Sequence, residues 1–144
     1  MSLEADAYLK AQLAASLLMT GLIWFVQIVH YPLMRHVADG GFVPFSQAHQ
    51  QRTSWVVGPP MLAEAGSCAA VWLLSPSLAS TPPHAIATAL LAAVWLSTLL
   101  LQMPLHSSFL QGRNEAAIAR LVRGNWVRTI AWTARSGLLA SMVF

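Results

Sequence analysis

Four apolar segments, each long enough to cross a lipid bilayer, restrict this chain to few folds. A membrane-spanning helix needs roughly 20 mostly apolar residues, and the segments that qualify are residues 8–33, 56–74, 85–105 and 121–144. Amphipathic stretches over 42–55 and 114–123 precede the second and fourth segments, and they predict helical extensions at the membrane interface. We expect an all-α fold, an integral membrane four-helix bundle that forms a single transmembrane domain over residues 1–144.

The scarcity of charge supports a membrane environment. Of 144 residues 56% are hydrophobic and 9% are charged, whereas soluble domains carry about 25% charged residues. The net charge is +3, but the arginines lie in or beside apolar runs, so membrane lipid is the expected partner and nucleic acid is not. Cys68 is the only cysteine, which excludes an intramolecular disulfide. The acidic start of the chain does not resemble a cleavable signal peptide.

The basic residues predict how the helices are oriented. Arg35 and Arg52 follow the first segment, and Arg113, Arg120 and Arg123 follow the third, while the link after the second segment has no Lys or Arg. Basic links stay on the cytoplasmic side of a membrane. We therefore expect both termini on the external side, an N-out/C-out topology.

A short internal repeat predicts two similar hairpins. The first segment ends in His30-Tyr31-Pro32-Leu33 and the third in Gln102-Met103-Pro104-Leu105-His106. The helices that follow contain His49-Gln50-Gln51-Arg52-Thr53 and Asn125-Trp126-Val127-Arg128-Thr129, respectively. Two such hairpins would pack about a pseudo-two-fold axis along the membrane normal.

Each predicted span also carries one polar stripe at helical spacing. Polar groups that face lipid cost several kcal/mol each, so the stripes are expected to point inward. On the second span the inward residues are His49 with either Arg52 or Thr53. The other stripes comprise Ser16, Thr20, Gln27 and His30; Thr98, Gln102 and His106; and Asn125, Arg128, Trp132 and Arg135. This pattern predicts a polar interior at the cytoplasmic end and an apolar opposite end.

Three histidines on three different predicted helices are the main candidates for chemistry. His30, His49 and His106 are candidate catalytic residues and candidate metal ligands, because imidazole binds Fe, Cu and Zn and also exchanges protons near neutral pH. The cofactor is unknown, and haem held by His30 and His106 is a less favoured case. A purely structural role is the alternative. His36 and His84 fall in predicted links and are expected to be solvated.

The remaining polar residues of the spans divide into two predicted roles. Arg52 and Arg128 are candidate catalytic residues that hold an anionic or enolate-like oxygen. Glu64 is the only acidic residue within a span, so Arg135 is expected to form a structural ion pair with it. The candidate substrate-binding residues are Gln27, Gln102, Asn125, Trp126 and Trp132, although the two tryptophans also fit an aromatic belt or a bundle core.

Five stretches carry a resemblance to known families. These are His30-Tyr31-Pro32-Leu33, Phe45-x3-His49-x2-Arg52, Gly58-Pro59-Pro60-Met61-x2-Glu64, Gln102-x-Pro104-x-His106 and Asn125-Trp126-x-Arg128-Thr129. They resemble an uncharacterised family of small bacterial four-helix membrane proteins. More distantly, the layout is similar to the anthrone-oxygenase-like membrane family. That similarity rests on Pro104, Asn125, Arg128 and Thr129, and it implies oxygen-dependent oxidation of an aromatic or hydroxylated lipophilic substrate.

Two functions are therefore expected. The first is a small membrane oxidoreductase of the bacterial inner (cytoplasmic) membrane that acts on a lipophilic small molecule in a cavity lined by histidine and arginine. The second is a non-catalytic carrier or scaffold subunit whose polar interior is structural. The apolar external halves of the first and third spans count against a carrier. Homo-oligomers fit either function, because a bundle this small leaves broad outer faces.

Overall fold

The computed structural model describes residues 3–144, which are almost entirely helical and contain no β-strand. Seven α-helices alternate with short π-helical and 3-10 turns. In chain order these are α1 (Leu3–Phe25), a π turn (Val26–His30), α2 (Tyr31–Leu33), a 3-10 turn (Met34–His36), α3 (Asp39–Leu74), α4 (Pro76–Ala79), α5 (Pro82–Ser97), a second π turn (Thr98–Gln102), α6 (Met103–Ser108), a second 3-10 turn (Phe109–Gln111) and α7 (Glu115–Val143).

Three helical stretches are long and apolar enough to span a membrane, namely Leu3–His36, Asp39–Leu74 and Pro82–Gln111. The all-α prediction is thus confirmed for the described residues, and the chain has the character of a membrane protein. The sequence predicts a fourth span over 121–144, within α7. Helix α7 is not in this group, and it carries five charged side chains, which are Glu115, Arg120, Arg123, Arg128 and Arg135.

The predicted interfacial extensions are continuous with the helices that follow them. Helix α3 begins at Asp39 and continues through Pro59 and Pro60 to Leu74, so 42–55 and 56–74 belong to one helix. Helix α7 begins at Glu115, where the side chain of Asn114 caps it by accepting a hydrogen bond from the Ala117 N–H at 2.9 Å. Both long helices therefore extend from the connecting links into the packed interior.

Two π-helical turns interrupt the long apolar helices at matching places. The first ends at His30, two residues before Pro32, and the second ends at Gln102, two residues before Pro104. Proline has no N–H and its ring clashes with the carbonyl four residues earlier. A turn widened by one residue relieves that clash. Each π turn shifts the helical register, so it alters which side chains face the interior beyond it.

The packed helices bury polar side chains among the apolar ones of their core and expose large apolar side chains. Helix α1 packs along α3 and α7, and α5 packs along α7. Several polar side chains are fully buried, including Gln12, Glu64 and Arg135, while large apolar side chains are exposed, such as Trp55 at 77% and Leu100 at 67%. Buried charges together with exposed large apolar side chains are unusual in a soluble globule, and they fit a lipid environment.

Arg113 joins the link after the first long helix to the start of α7. Its guanidinium donates hydrogen bonds to the carbonyls of Arg35 (2.6 Å) and Val37 (3.1 Å) and to the carboxylate of Asp39 (3.2 Å). It also pairs with Glu115. Gly112, with φ of 135°, makes the turn that brings Arg113 to this position. The two basic links therefore lie side by side at one end of the molecule.

Candidate functional site

A cavity of about 260 Å³ lies between the helices, on the side where the π turns and α6 are located. Its inner wall is apolar and its other wall is polar. The apolar wall comprises Met19, Leu22, Ile23, Val26, Val57 and Met61. The polar wall includes Tyr31, His49, Thr98, Gln102, His106 and Arg128. Exposed residues of α3 and α6, Ser54 and Met103 among them, form the rim. The cavity therefore suits a lipophilic molecule that carries a polar group.

Arg128, Tyr31 and His106 form a hydrogen-bonded chain on the polar wall. Nη2 of Arg128 donates to the hydroxyl of Tyr31 at 3.3 Å, and that hydroxyl lies 3.0 Å from Nε2 of His106. Arginine can only donate, so the Tyr31 oxygen accepts from Arg128, and its own proton is available to His106. When the hydroxyl donates to Nε2 of His106, that nitrogen is the acceptor and the ring proton lies on Nδ1.

His30 and His49 are in direct contact. Nε2 of His30 lies 2.9 Å from Nδ1 of His49, and the hydroxyl of Thr53 lies 3.1 Å from the same nitrogen. The ring centroids of His49 and His106 are 5.2 Å apart. His49 and His106 line the cavity, whereas His30 stands behind His49. The contacts at Nδ1 leave Nε2 as the free ring nitrogen of His49.

These contacts bear on the predicted metal site at His30, His49 and His106. Within residues 3–144, no group of three or more His, Cys, Asp or Glu side chains is arranged to hold a metal ion. The physical reason lies in the ring contacts. One nitrogen of each ring is already bonded to another of the rings, to Tyr31 or to Thr53, and is not free to bind a metal ion. The predicted three-histidine metal site is therefore not found.

Two predicted substrate-binding residues, Asn125 and Gln27, do not line the cavity. Asn125 bonds to Arg128, and Gln27 bonds to Asn125. Oδ1 of Asn125 accepts from Nη2 (2.6 Å) and Nε (3.0 Å) of Arg128. Nδ2 of Asn125 donates to Oε1 of Gln27 (2.9 Å), and Nε2 of Gln27 donates to the carbonyl of Val122 (3.1 Å). Gln27 and Asn125 thus fix the orientation of the guanidinium.

The two predicted substrate-binding tryptophans have different positions. Trp132 is fully buried and lines the cavity, with the guanidinium carbon of Arg128 5.9 Å from its ring centre. Trp126 is 39% exposed and packs edge-on against Trp24, with ring centres 5.7 Å apart. Trp126 therefore lies outside the cavity, and only Trp132 belongs to its wall.

Arg52, predicted as catalytic, is exposed and does not line the cavity. On α3 the residue that shares the inward face with His49 is Thr53, four positions later, and Arg52 is turned towards the surface. The sequence had left Arg52 and Thr53 as alternatives for this face. Tyr31 had no predicted role. A tyrosine inside an apolar helix was the available signal, because its buried hydroxyl needs a partner.

A second buried polar group lies deeper in the molecule, around Glu64 and Arg135. Nε of Arg135 lies 3.2 Å from Oε1 of Glu64, and both side chains are fully buried. Trp132 donates its indole N–H to Oε2 of Glu64 at 2.9 Å. Gln12 accepts from Arg135 (2.9 Å), and its Nε2 lies 3.4 Å from Nε2 of His84.

This group corrects two predictions. His84 was expected in a solvated link, but it is fully buried in the first turn of α5, because helix α5 starts at Pro82. The end opposite the histidines was expected to be apolar, but Gln12, Ser67 and His84 are buried there. The pair of Glu64 and Arg135 was predicted, but single polar residues in apolar segments gave too weak a pattern for the sequence to add Gln12 and His84 to it.

No protein-family model matches this chain, and neither a curated protein nor a solved structure matches it.

Proposed function

We propose that the chain is a four-helix integral membrane protein made of two similar hairpins, with both termini outside the cytoplasm of a bacterium. The matching π turns before Pro32 and Pro104 support the hairpin repeat. The burial of Arg128 and Arg135 within the packed helices supports α7 as the fourth span, since its charges are hidden from lipid. The position of Arg113 beside Arg35 supports a single basic, cytoplasmic end.

We further propose that it is an oxygenase-like membrane oxidoreductase that acts on a lipophilic substrate in the cavity. The observation that carries this proposal is the chain from Arg128 through Tyr31 to His106 on the wall of an otherwise apolar cavity. A cation and a phenol held beside imidazoles are the groups needed to remove a proton and stabilise the resulting oxyanion.

Each residue of the wall has a separate role in this proposal. Arg128 holds the substrate oxygen on which negative charge develops, and the Tyr31 hydroxyl turns its proton from His106 to that oxygen. His49 accepts the proton through Nε2, because its Nδ1 is held by His30 and Thr53. His30 is then a positioning residue, as the third group of a catalytic triad is. Trp132 and the apolar wall bind the ring of the substrate and exclude water.

The reaction implied by the family resemblance balances with molecular oxygen as oxidant. A methylene that is conjugated to a ketone through aromatic rings loses a proton to His49, and the negative charge of the enolate rests on the ketone oxygen held by Arg128. The deprotonated carbon forms a bond to O₂, and the O–O bond then breaks as the second C–H bond of that carbon is lost. One oxygen atom stays on the carbon as a new carbonyl, and the other leaves as water with the two methylene hydrogens.

The test uses the only two tyrosines of the chain. Protein in lipid nanodiscs is supplied with anthrone, a tricyclic ketone with an acidic methylene, and oxygen uptake is measured above that of empty nanodiscs. Tyr31→Phe is expected to lower the rate at least tenfold, since a positioned acid–base group contributes about 10²–10⁴. Tyr8→Phe, in the first part of α1, is the control and is expected to leave the rate unchanged. Equal rates for the two variants would refute the proposal.

A non-catalytic carrier or scaffold is the second candidate, and one observation favours it. Polar side chains continue from the cavity wall at Trp132 through Glu64, Arg135 and Gln12 to His84. A carrier was disfavoured because the external halves of the first and third spans were expected to be apolar. The continuous polar side chains weaken that objection. If wild-type protein does not oxidise anthrone but proteoliposomes that contain it conduct protons, and His84→Ala abolishes that conduction, the carrier is the correct function.

A further inference from the structure

Gln102 is a buried amide without a hydrogen-bond partner. Its side chain is 1% exposed, and it lines the cavity. Within residues 3–144 neither Nε2 nor Oε1 of Gln102 has a partner. A buried carboxamide left unbonded carries a desolvation cost, so its position against a cavity calls for an occupant that bonds to it.

The other two buried glutamines of the packed helices show that this lack is specific to Gln102. Both polar atoms of Gln27 are bonded, Oε1 to Asn125 (2.9 Å) and Nε2 to the carbonyl of Val122 (3.1 Å). Gln12 accepts from Arg135 at 2.9 Å and donates to the carbonyl of Ser67 at 3.4 Å. Neither Gln12 nor Gln27 lines the cavity. Of these three buried glutamines, the one that lines the cavity is the one without a partner, whereas the half-buried Gln50, also on the wall, donates to the carbonyl of His106 at 2.9 Å.

A second orphan atom lies one helical turn away. Nδ1 of His106 is buried and unpartnered, while the Tyr31 hydroxyl lies 3.0 Å from the other ring nitrogen. With Tyr31 as donor to Nε2, Nδ1 carries a proton and is itself a donor. Gln102 and His106 share one face at a spacing of four residues. Together they present two kinds of donor and one acceptor to whatever fills the cavity.

We infer that Gln102 selects a flat lipophilic ligand with a hydrogen-bond donor and an acceptor on neighbouring atoms, such as a cyclic amide or a hydroxy ketone. The ligand acceptor takes the Gln102 Nε2–H or the His106 Nδ1–H, and the ligand donor bonds to Oε1 of Gln102. This inference rests on the proposed function in one respect, that the cavity is the ligand site. It adds the chemical class of the ligand, namely a donor and an acceptor on neighbouring atoms that the site recognises.

The inference predicts opposite effects on stability and on binding. A structural glutamine that is replaced by an apolar residue leaves its partners unbonded and destabilises the protein. Gln102 has no partner to lose, so Gln102→Leu and the length-matched Gln102→Met are expected to unfold at or above the wild-type temperature. The control is Gln27→Leu, which leaves Nδ2 of Asn125 without its acceptor. This variant is expected to unfold at a lower temperature than wild type.

Binding is tested with a matched ligand pair, the bicyclic lactam carbostyril and its N-methyl derivative, which lacks the donor. Affinities are measured by titration calorimetry on protein in lipid nanodiscs, with empty nanodiscs subtracted. Wild type is expected to bind carbostyril at least tenfold more tightly than the N-methyl derivative. Gln102→Leu and Gln102→Met are expected to bind the two ligands within about twofold of each other, because the discriminating bonds are gone.

Three results would overturn the inference: no preference in wild type, no binding of either ligand to wild type, or an undiminished preference in both variants. Unfolding of both Gln102 variants well below wild type would also overturn it, since the amide would then have a structural partner. Because the readout is binding of a lactam, these failures leave the anthrone oxidation test of the proposed function intact. Conversely, lactam selectivity without oxidation would leave a binding site and refute the enzyme.

Discussion

Nε of Arg135 lies 3.2 Å from Oε1 of Glu64, and neither side chain is exposed to the surroundings. The other guanidinium nitrogens are also bonded, Nη1 to the carbonyl of Ala87 at 2.5 Å and Nη2 to Gln12 at 2.9 Å. Every nitrogen of this arginine therefore has a partner within the protein. The pair joins α3 to α7 and ties α1 and α5 to the same point, which is the arrangement of a structural centre.

Breaking this pair from one side should be costly. Arg135→Leu leaves the charge of Glu64 buried and unpaired, and the expected loss is about 3–5 kcal/mol of unfolding free energy. The measurement is denaturant-induced unfolding in detergent micelles. The double variant Glu64→Leu/Arg135→Leu should lose less than Arg135→Leu alone, because no lone charge remains. Lys10→Leu, which breaks the exposed pair of Lys10 and Asp6, is the control and should cost at most about 1 kcal/mol. A double variant that is less stable than the single one would contradict this account of the pair.

The two histidines that were predicted to be solvated should differ in their effect on stability. His84→Ala removes a fully buried ring beside Gln12, and it should cost about 1–3 kcal/mol through the cavity it leaves and the unbonded amide. His36→Ala removes an exposed side chain and should change stability by no more than about 0.5 kcal/mol. Unfolding temperatures in the same detergent compare the two variants. Equal temperatures would mean that His84 is not buried.

The second π turn should depend on Pro104. Pro104→Ala removes the clash with the carbonyl of Leu100, so the widened turn should relax to an α-helix. The register beyond it would then shift by one residue, and His106 would rotate away from Tyr31. The expected result is a fall in anthrone oxidation of at least tenfold with little change in helix content by circular dichroism. Pro76→Ala, at the start of α4, is the control and should leave oxidation unchanged.

Labelling of single cysteines tests the topology. In a Cys68→Ala background, Ser80→Cys lies in the link between α4 and α5, and Gln111→Cys lies in the link before α7. With the termini outside, a membrane-impermeant maleimide applied to intact spheroplasts should label the first variant and not the second. Labelling of the second variant alone would reverse the orientation, and labelling of both to the same extent would rule out a fixed topology with the two links on opposite sides.

Part of this architecture follows directly from the sequence. The apolar runs identify the long helices, and the scarcity of acidic residues in the spans leaves Glu64 as the expected partner of Arg135, which it contacts in the structure. Spacing also places His49 and Thr53 on one helical face. These features depend on composition and on the period of one helix, both of which a single sequence contains.

Other features depend on relationships that one helix does not encode. The π turns shift the register by a residue, so the depth and facing of Tyr31 and His106 could not be read from a period of 3.6. The dipeptide Pro82-Pro83 reads as a turn, but proline is also favoured in the first turn of a helix, and His84 is buried for that reason. The unpartnered state of Gln102 emerges only when its neighbours on other helices are known.

The most direct test of the central claim compares two arginines in the anthrone oxidation assay. Arg128 lines the cavity beside Tyr31, whereas Arg52 is exposed outside it. Arg128→Gln should lower the rate by about 10²–10³, the effect of losing one donor to a developing oxyanion, and Arg128→Lys should restore only part of it because lysine lacks the planar fork. Arg52→Gln should remain within about twofold of wild type. If all three variants fold and oxidise anthrone at the wild-type rate, the cavity is not the site of the chemistry.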